Sequence, residues 1–117
     1  HMQLEEGAKF YVRTNYTVTT GGLGFGYHFR ASWPGSVLYA ASRTVNFVGA
    51  GAVVSFAAAL HQAAVYGFGM SFTGNAASIT GQRYAADKLG HVETGGGGAN
   101  YFPGNAAGAA TQGGIYT

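Results

Sequence analysis

The chain has 117 residues, 21 of them glycine and none cysteine, with 47% apolar residues and only 9% Asp, Glu, Lys and Arg. The missing cysteines exclude a disulfide framework, a thiolate metal site and a cysteine nucleophile, while the supply of Val, Phe and Tyr excludes a disordered chain and fits one compact domain. The net charge of +2 comes from dispersed bases that form no stripe for nucleic acid, and no charged residue lies between Arg43 and Arg83, so either a membrane or neighbouring copies are expected to cover that interval.

His1-Met2 reads as a cloning remnant, residues 3–9 as the end of a stalk or linker, and residues 10–117 as a single β-domain with a Gly/Ala-rich tail. Phe10 to Thr20 alternates as a half-buried strand. Gly21-Gly22 supplies the positive-φ chemistry of a tight hairpin. A second strand, with Leu23, Phe25, Tyr27, Phe29, Ala31 and Trp33 in one row, ends at Pro34-Gly35. Val37 to Val48 is β-rich, but Arg43 falls in its apolar row and suggests a bulge or an edge. Ala52 to Tyr66 suits a buried strand, with helix as the alternative because of its alanines. Tyr66 to Phe72 alternates aromatic or Met side chains with Gly and Ser, again as strand.

Two echoes run through these pieces. Gly24-Phe25-Gly26-Tyr27-His28-Phe29 matches Gly67-Phe68-Gly69-Met70-Ser71-Phe72, and Phe72-Thr73-Gly74-Asn75-Ala76-Ala77 matches Phe102-Pro103-Gly104-Asn105-Ala106-Ala107. Each has two copies, short of the three a solenoid requires. The four glycines from Gly95 to Gly98 read as an exposed loop, and Ile115-Tyr116 as a last strand pinning the tail. The least polar stretch, Phe47 to Leu60, is too short for a spanning helix, which needs about 20 residues.

Phosphate-loop, dinucleotide and His-Glu-x-x-His patterns are missing, and Ser71 misses the Gly-x-Ser-x-Gly spacing. Asp87 and Glu93 are the two carboxylates beyond the leader, six residues apart around an expected turn. His28, His61 and His91 stand singly, without the pairing of a metal site. The expectation is a protein with no catalytic residue, metal or cofactor. Sugar rings present apolar faces that stack on aromatics, and hydroxyls that bond to guanidinium and amide groups. The candidates for ligand binding are therefore Trp33 in the Ser32-to-Ser36 turn, Arg83 and Tyr84, and Tyr101 beside the glycine run.

The alternating Gly/aromatic strands, the tail Tyr101-Phe102-Pro103-Gly104-Asn105-Ala106-Ala107-Gly108 and the ending Gly113-Gly114-Ile115-Tyr116 resemble the distal C-terminal domains of bacteriophage tail fibres, tailspikes and related appendages. The likeness is concentrated in about the last 45 residues and carries over no individual binding residue. It implies a homotrimeric β-structured knob on the virion, acting outside the cell as a receptor-binding tip for a host-surface saccharide or outer-membrane protein. The expected fold is all-β, a small antiparallel β-sandwich of jelly-roll type, neither membrane-embedded nor bound to nucleic acid. The rival readings are an outer-membrane β-barrel fragment and a small polysaccharide hydrolase using Asp87 and Glu93.

Overall fold

The computed structural model describes residues 2–117, in which the backbone winds as a β-solenoid. The first coil carries strands β1 (Met2–Leu4), β2 (Lys9–Tyr11) and β3 (Tyr16–Thr19), and the second β4 (Gly24–Ser32), β5 (Val37–Tyr39) and β6 (Thr44–Val48). In the third coil follow β7 (Gly51–Leu60), β8 (Ala64–Tyr66) and β9 (Ser71–Gly74). The fourth has β10 (Ile79–Asp87) and β11 (His91–Glu93), and the last β12 (Ala109–Ala110) and β13 (Ile115–Tyr116). Corresponding strands stack into three parallel sheets, ordered β1-β4-β7-β10-β12, β2-β5-β8-β11-β13 and β3-β6-β9. Val37, Ala64 and His91 stand in one column of the second sheet, 27 residues apart at each step. Among the described residues no helix is long and apolar enough to cross a membrane.

The antiparallel jelly-roll sandwich is thereby overturned: the chain is all-β, but every strand pairing is parallel. Period-two alternation reports which face of a strand is buried and is silent on the direction of its partner. Gly21 and Gly22 do take positive φ, +59° and +77°, yet they turn a corner of the coil, and β3 pairs with β6 instead of folding back on β4. Three runs expected as single strands are each broken by a corner. Phe10 to Thr20 divides into β2 and β3, Val37 to Val48 into β5 and β6, and Tyr66 to Phe72 lies across β8 and β9. The ambiguous Ala52 to Tyr66 is strand for most of its length, as β7 and β8. An outer-membrane barrel, whose neighbouring strands run antiparallel, does not fit this topology.

The core is narrow because coils stack on themselves. Ala31, Ala59 and Ala86 form an inward column in the first sheet, all fully buried, and Leu38, Val65 and Val92 do the same in the second. The bulk lies toward the third sheet, where Phe29, Phe47 and Phe56 are buried around His28 and Phe102 stacks on Phe56. Phe56 is the hub, in ring contact with Phe29, Phe47, Phe72, Phe102 and His28. Glycines permit close coil contacts: a Cβ on Gly90 or Gly114 would strike the carbonyl of Ala59 or Ala86.

Candidate functional site

The third sheet stops at β9, and where a further strand would lie the chain runs irregularly through residues 94–108. This departure from the coil leaves an open groove of about 440 Å³ between the loop and the coils beneath, lined by Phe72, Ala76, Arg83, Asn100, Tyr101 and Pro103 among others. The second sequence echo builds it. Phe72 and Phe102 contact each other, and each leads into a Gly-Asn pair. Asn75 Oδ1 accepts from the Gly49 N–H, and Asn105 Oδ1 from the Gly81 N–H, each tying its corner to the coil before it. Gly104 has φ +143°, and a side chain there would meet the Gly81 carbonyl and the Arg83 stem. Glycine thus lets the loop lie down on β10.

Of the four expected ligand-binding residues, the structure brings Arg83 and Tyr101 together in this groove. Arg83 Nη1 donates to the Ala106 carbonyl at 3.2 Å, its single guanidinium hydrogen bond among the described residues, leaving the other N–H donors available to a ligand. Tyr101 is a wall. Its hydroxyl donates to Gly67 O and accepts the Met70 N–H, both at 2.6 Å, and its ring stands edge-on to Phe72 and Phe102. Burial pushes its phenol pKa up, the Met70 bond opposing. Asn100 and Phe72 were missed as candidates, although Asn100 adjoins the glycine run and Phe72 opens the second echo.

Tyr84, next to Arg83 on β10, stacks instead on Tyr116 of β13, ring centroids 3.5 Å apart, above Gly108 whose missing side chain makes room. Tyr116 in turn donates its hydroxyl to Gly98 O at 2.7 Å, and the Thr117 carbonyl accepts from Thr94 Oγ1. The glycine loop is exposed at Gly95 to Gly98, as expected, while its ends are tied to the last strand.

Trp33 lies at another corner, between the first and second sheets. There Glu6, Trp33, His61, Lys88 and Gln112, one from each coil, all adopt positive φ without being glycine. The Trp33 indole, 48% exposed, stacks on the His61 ring at 4.8 Å, and His61 Nε2 lies 3.2 Å from Lys88 Nζ. Asp87 accepts a hydrogen bond from Thr111 at 2.6 Å, and Glu93 stands on β11 beyond a corner; neither lines the groove. Among the described residues no three His, Cys, Asp or Glu side chains gather as a metal site would require. No protein-family model matches the chain, and neither a curated protein nor a solved structure does.

Proposed function

We propose that the groove over β10 binds a saccharide carrying an anionic group, and that the chain serves as a non-enzymatic receptor-binding tip of a phage tail fibre or tailspike, outside the host cell. The observation that carries this reading is Arg83: a guanidinium with uncommitted donors at the floor of an open groove walled by Phe72 and Tyr101. A planar fork of donors matches a carboxylate in two parallel bonds, and the aromatic edges match the apolar C–H surfaces of a sugar ring. Asn100 adds an amide for hydroxyls. The walls are fixed before a ligand arrives, since Tyr101 is bonded at its hydroxyl to two backbone groups, and a preformed site loses little entropy on binding. The tail from Tyr101 to Gly108 carries the resemblance to tail-fibre tips, and its first four residues line this groove.

The test is titration of purified acidic and neutral host-surface polysaccharides against the protein and Arg83→Ala, with thermal melting as a check on folding. The acidic saccharide should bind the parent, and Arg83→Ala should lose about tenfold or more in affinity, the value of one charged hydrogen bond. Arg83→Lys should recover part of the loss, because it keeps the charge without the fork. Equal binding by parent and Arg83→Ala refutes the assignment, as does binding confined to a host outer-membrane protein.

A further inference from the structure

We infer, on the footing that the groove over β10 is a saccharide site, that its ligand carries an acylamino group beside the anionic one and that the unpaired backbone edge of β9 reads it. The third sheet ends at β9. Thr44 of β6 pairs with Ser71 of β9, a step of 27 residues, and the same step would place the next strand at residues 98–101. Those residues do not extend. They turn, with the Tyr101 N–H donating to Gly98 O at 3.1 Å, and the place beside β9 is left to the groove. The ladder on the other side of β9 sets which groups face it. The Ser71 N–H donates to Arg43 O at 2.9 Å and the Asn75 N–H to Phe47 O at 2.8 Å, so alternate residues from Ser71 onward address β6. Successive backbone groups along a strand point to opposite edges, which turns the N–H and C=O of Phe72 and the N–H of Gly74 away from β6. Among the described residues none of these three groups has a hydrogen-bond partner.

The molecule already shows how such a donor is answered. Just before β9 the Met70 N–H bonds an oxygen brought from outside the sheet, the Tyr101 hydroxyl. Beyond it, the free donors call for an acceptor of the kind a fourth strand would have supplied, an amide carbonyl. An acylamino substituent on a sugar ring brings that carbonyl together with a methyl group, and Ala76 and Ala77, which line the groove beside Phe72, offer the small apolar surface that a methyl needs. The Phe72 C=O is left to accept from a ring hydroxyl, while Arg83 takes the anionic group. A free amine at the same ring position would set a cation against N–H donors and a guanidinium, and no carboxylate side chain lines the groove to neutralise it. An extended peptide also carries amides and could add to a strand edge. Here it would find only Phe72 to Gly74, because Tyr101 closes the edge at Met70 and the chain turns at Asn75 into the short 3-10 helix Ala76–Ser78. A single acylamino group needs no longer an edge than that.

The test is titration with two uronic-acid oligosaccharides that differ only in bearing acetamido or hydroxyl at one ring position, while the amide resonances of Phe72 and Gly74 are followed in isotope-labelled protein. The acetamido sugar should bind about tenfold more tightly, the value of one amide hydrogen bond and a covered methyl group, and should shift both amides. Arg83→Ala should weaken the two sugars alike and keep their ratio. Equal affinities that both fall in Arg83→Ala overturn the acylamino assignment and leave the groove as a saccharide site. A tenfold preference that moves neither amide overturns it too, since the discrimination then lies away from β9. If neither sugar binds, or Arg83→Ala binds both as the parent does, the saccharide site itself fails and the acylamino assignment with it. An acidic extended peptide that shifts the two amides when neither sugar does would assign the edge to strand addition and overturn both.

Discussion

At position 28 an imidazole is enclosed by the rings of Phe25, Phe29, Phe47 and Phe56, with its Nε2 2.7 Å from the Tyr16 hydroxyl. Burial disfavours the charged form and lowers the His28 pKa from 6.5 to about 3, and the same burial pushes the Tyr16 phenol up. The unfolded chain therefore takes up a proton below pH 6.5 that the folded chain refuses until about pH 3. The stability that follows is fully present above pH 6.5 and drains away as the pH falls through that window, by about 1.4 kcal/mol per unit. Urea midpoints recorded from pH 7 to pH 4 should show this slope, and His28→Phe should flatten it while costing about 1–3 kcal/mol at pH 7 for the Tyr16 hydroxyl left without its partner. An unchanged slope in His28→Phe would assign the acid sensitivity elsewhere. Gly81 is the second position where one atom decides. Its φ is +111° at the irregularity in β10, and a Cβ would run into the Val53 carbonyl. Gly81→Ala should cost more than about 2 kcal/mol, by strain and collision together, read as a drop in the urea midpoint.

Among the elements, β13 holds more than its two residues suggest. Through Tyr116 it packs on Tyr84 and bonds Gly98, and through Thr117 it holds Thr94. Removing residues 114–117 should leave the first three coils folded, make the amides of residues 94–100 exchange at nearly unprotected rates, and weaken saccharide binding in the groove that the same loop walls. Intact protection in the truncated chain would show that the loop orders itself. These elements were legible in the sequence to different depths. Strand content, the burial of Phe29 and the last strand at Ile115-Tyr116 follow from alternation and hydrophobicity, which are local. The coil is non-local and most of its columns repeat only apolar character, as with Phe10, Leu38, Val65 and Val92, while the Ala31, Ala59 and Ala86 column is hidden among the chain's many other alanines. Neither echo marks the coil: Phe72 lies on β9 but Phe102 in the loop that leaves the third sheet, and the one at Gly24 and Gly67 joins a strand to a corner. Arg83 and Tyr101 were identified by residue type, but their meeting in one groove depends on the loop that interrupts the third sheet. The column of non-glycine residues with positive φ, from Glu6 to Gln112, left no signal, since glutamate, tryptophan, histidine, lysine and glutamine share no turn preference.

Over the whole molecule, each coil touches only its neighbours, so stability is a sum of coil terms and interface terms. It is uneven. β7, ten residues long, is paired on both edges, and β4, nine residues long, is paired along β7 but meets β1 only at Phe29–Ala31, whereas β12 and β13 have two residues apiece. Hydrogen exchange should be slowest in β7 and fastest in residues 109–117, with intermediate rates in β4 and β10; uniform protection would mean that the coils open together. The parallel stacking also sets how the molecule carries load. Ladder hydrogen bonds run along the coil axis, so a pull between Met2 and Arg83 passes through the coils in series and opens them one bond pair at a time. Each coil of 27 residues released in this way would lengthen the chain by about 90 Å, turning a sudden rupture into a stepwise extension that dissipates the force.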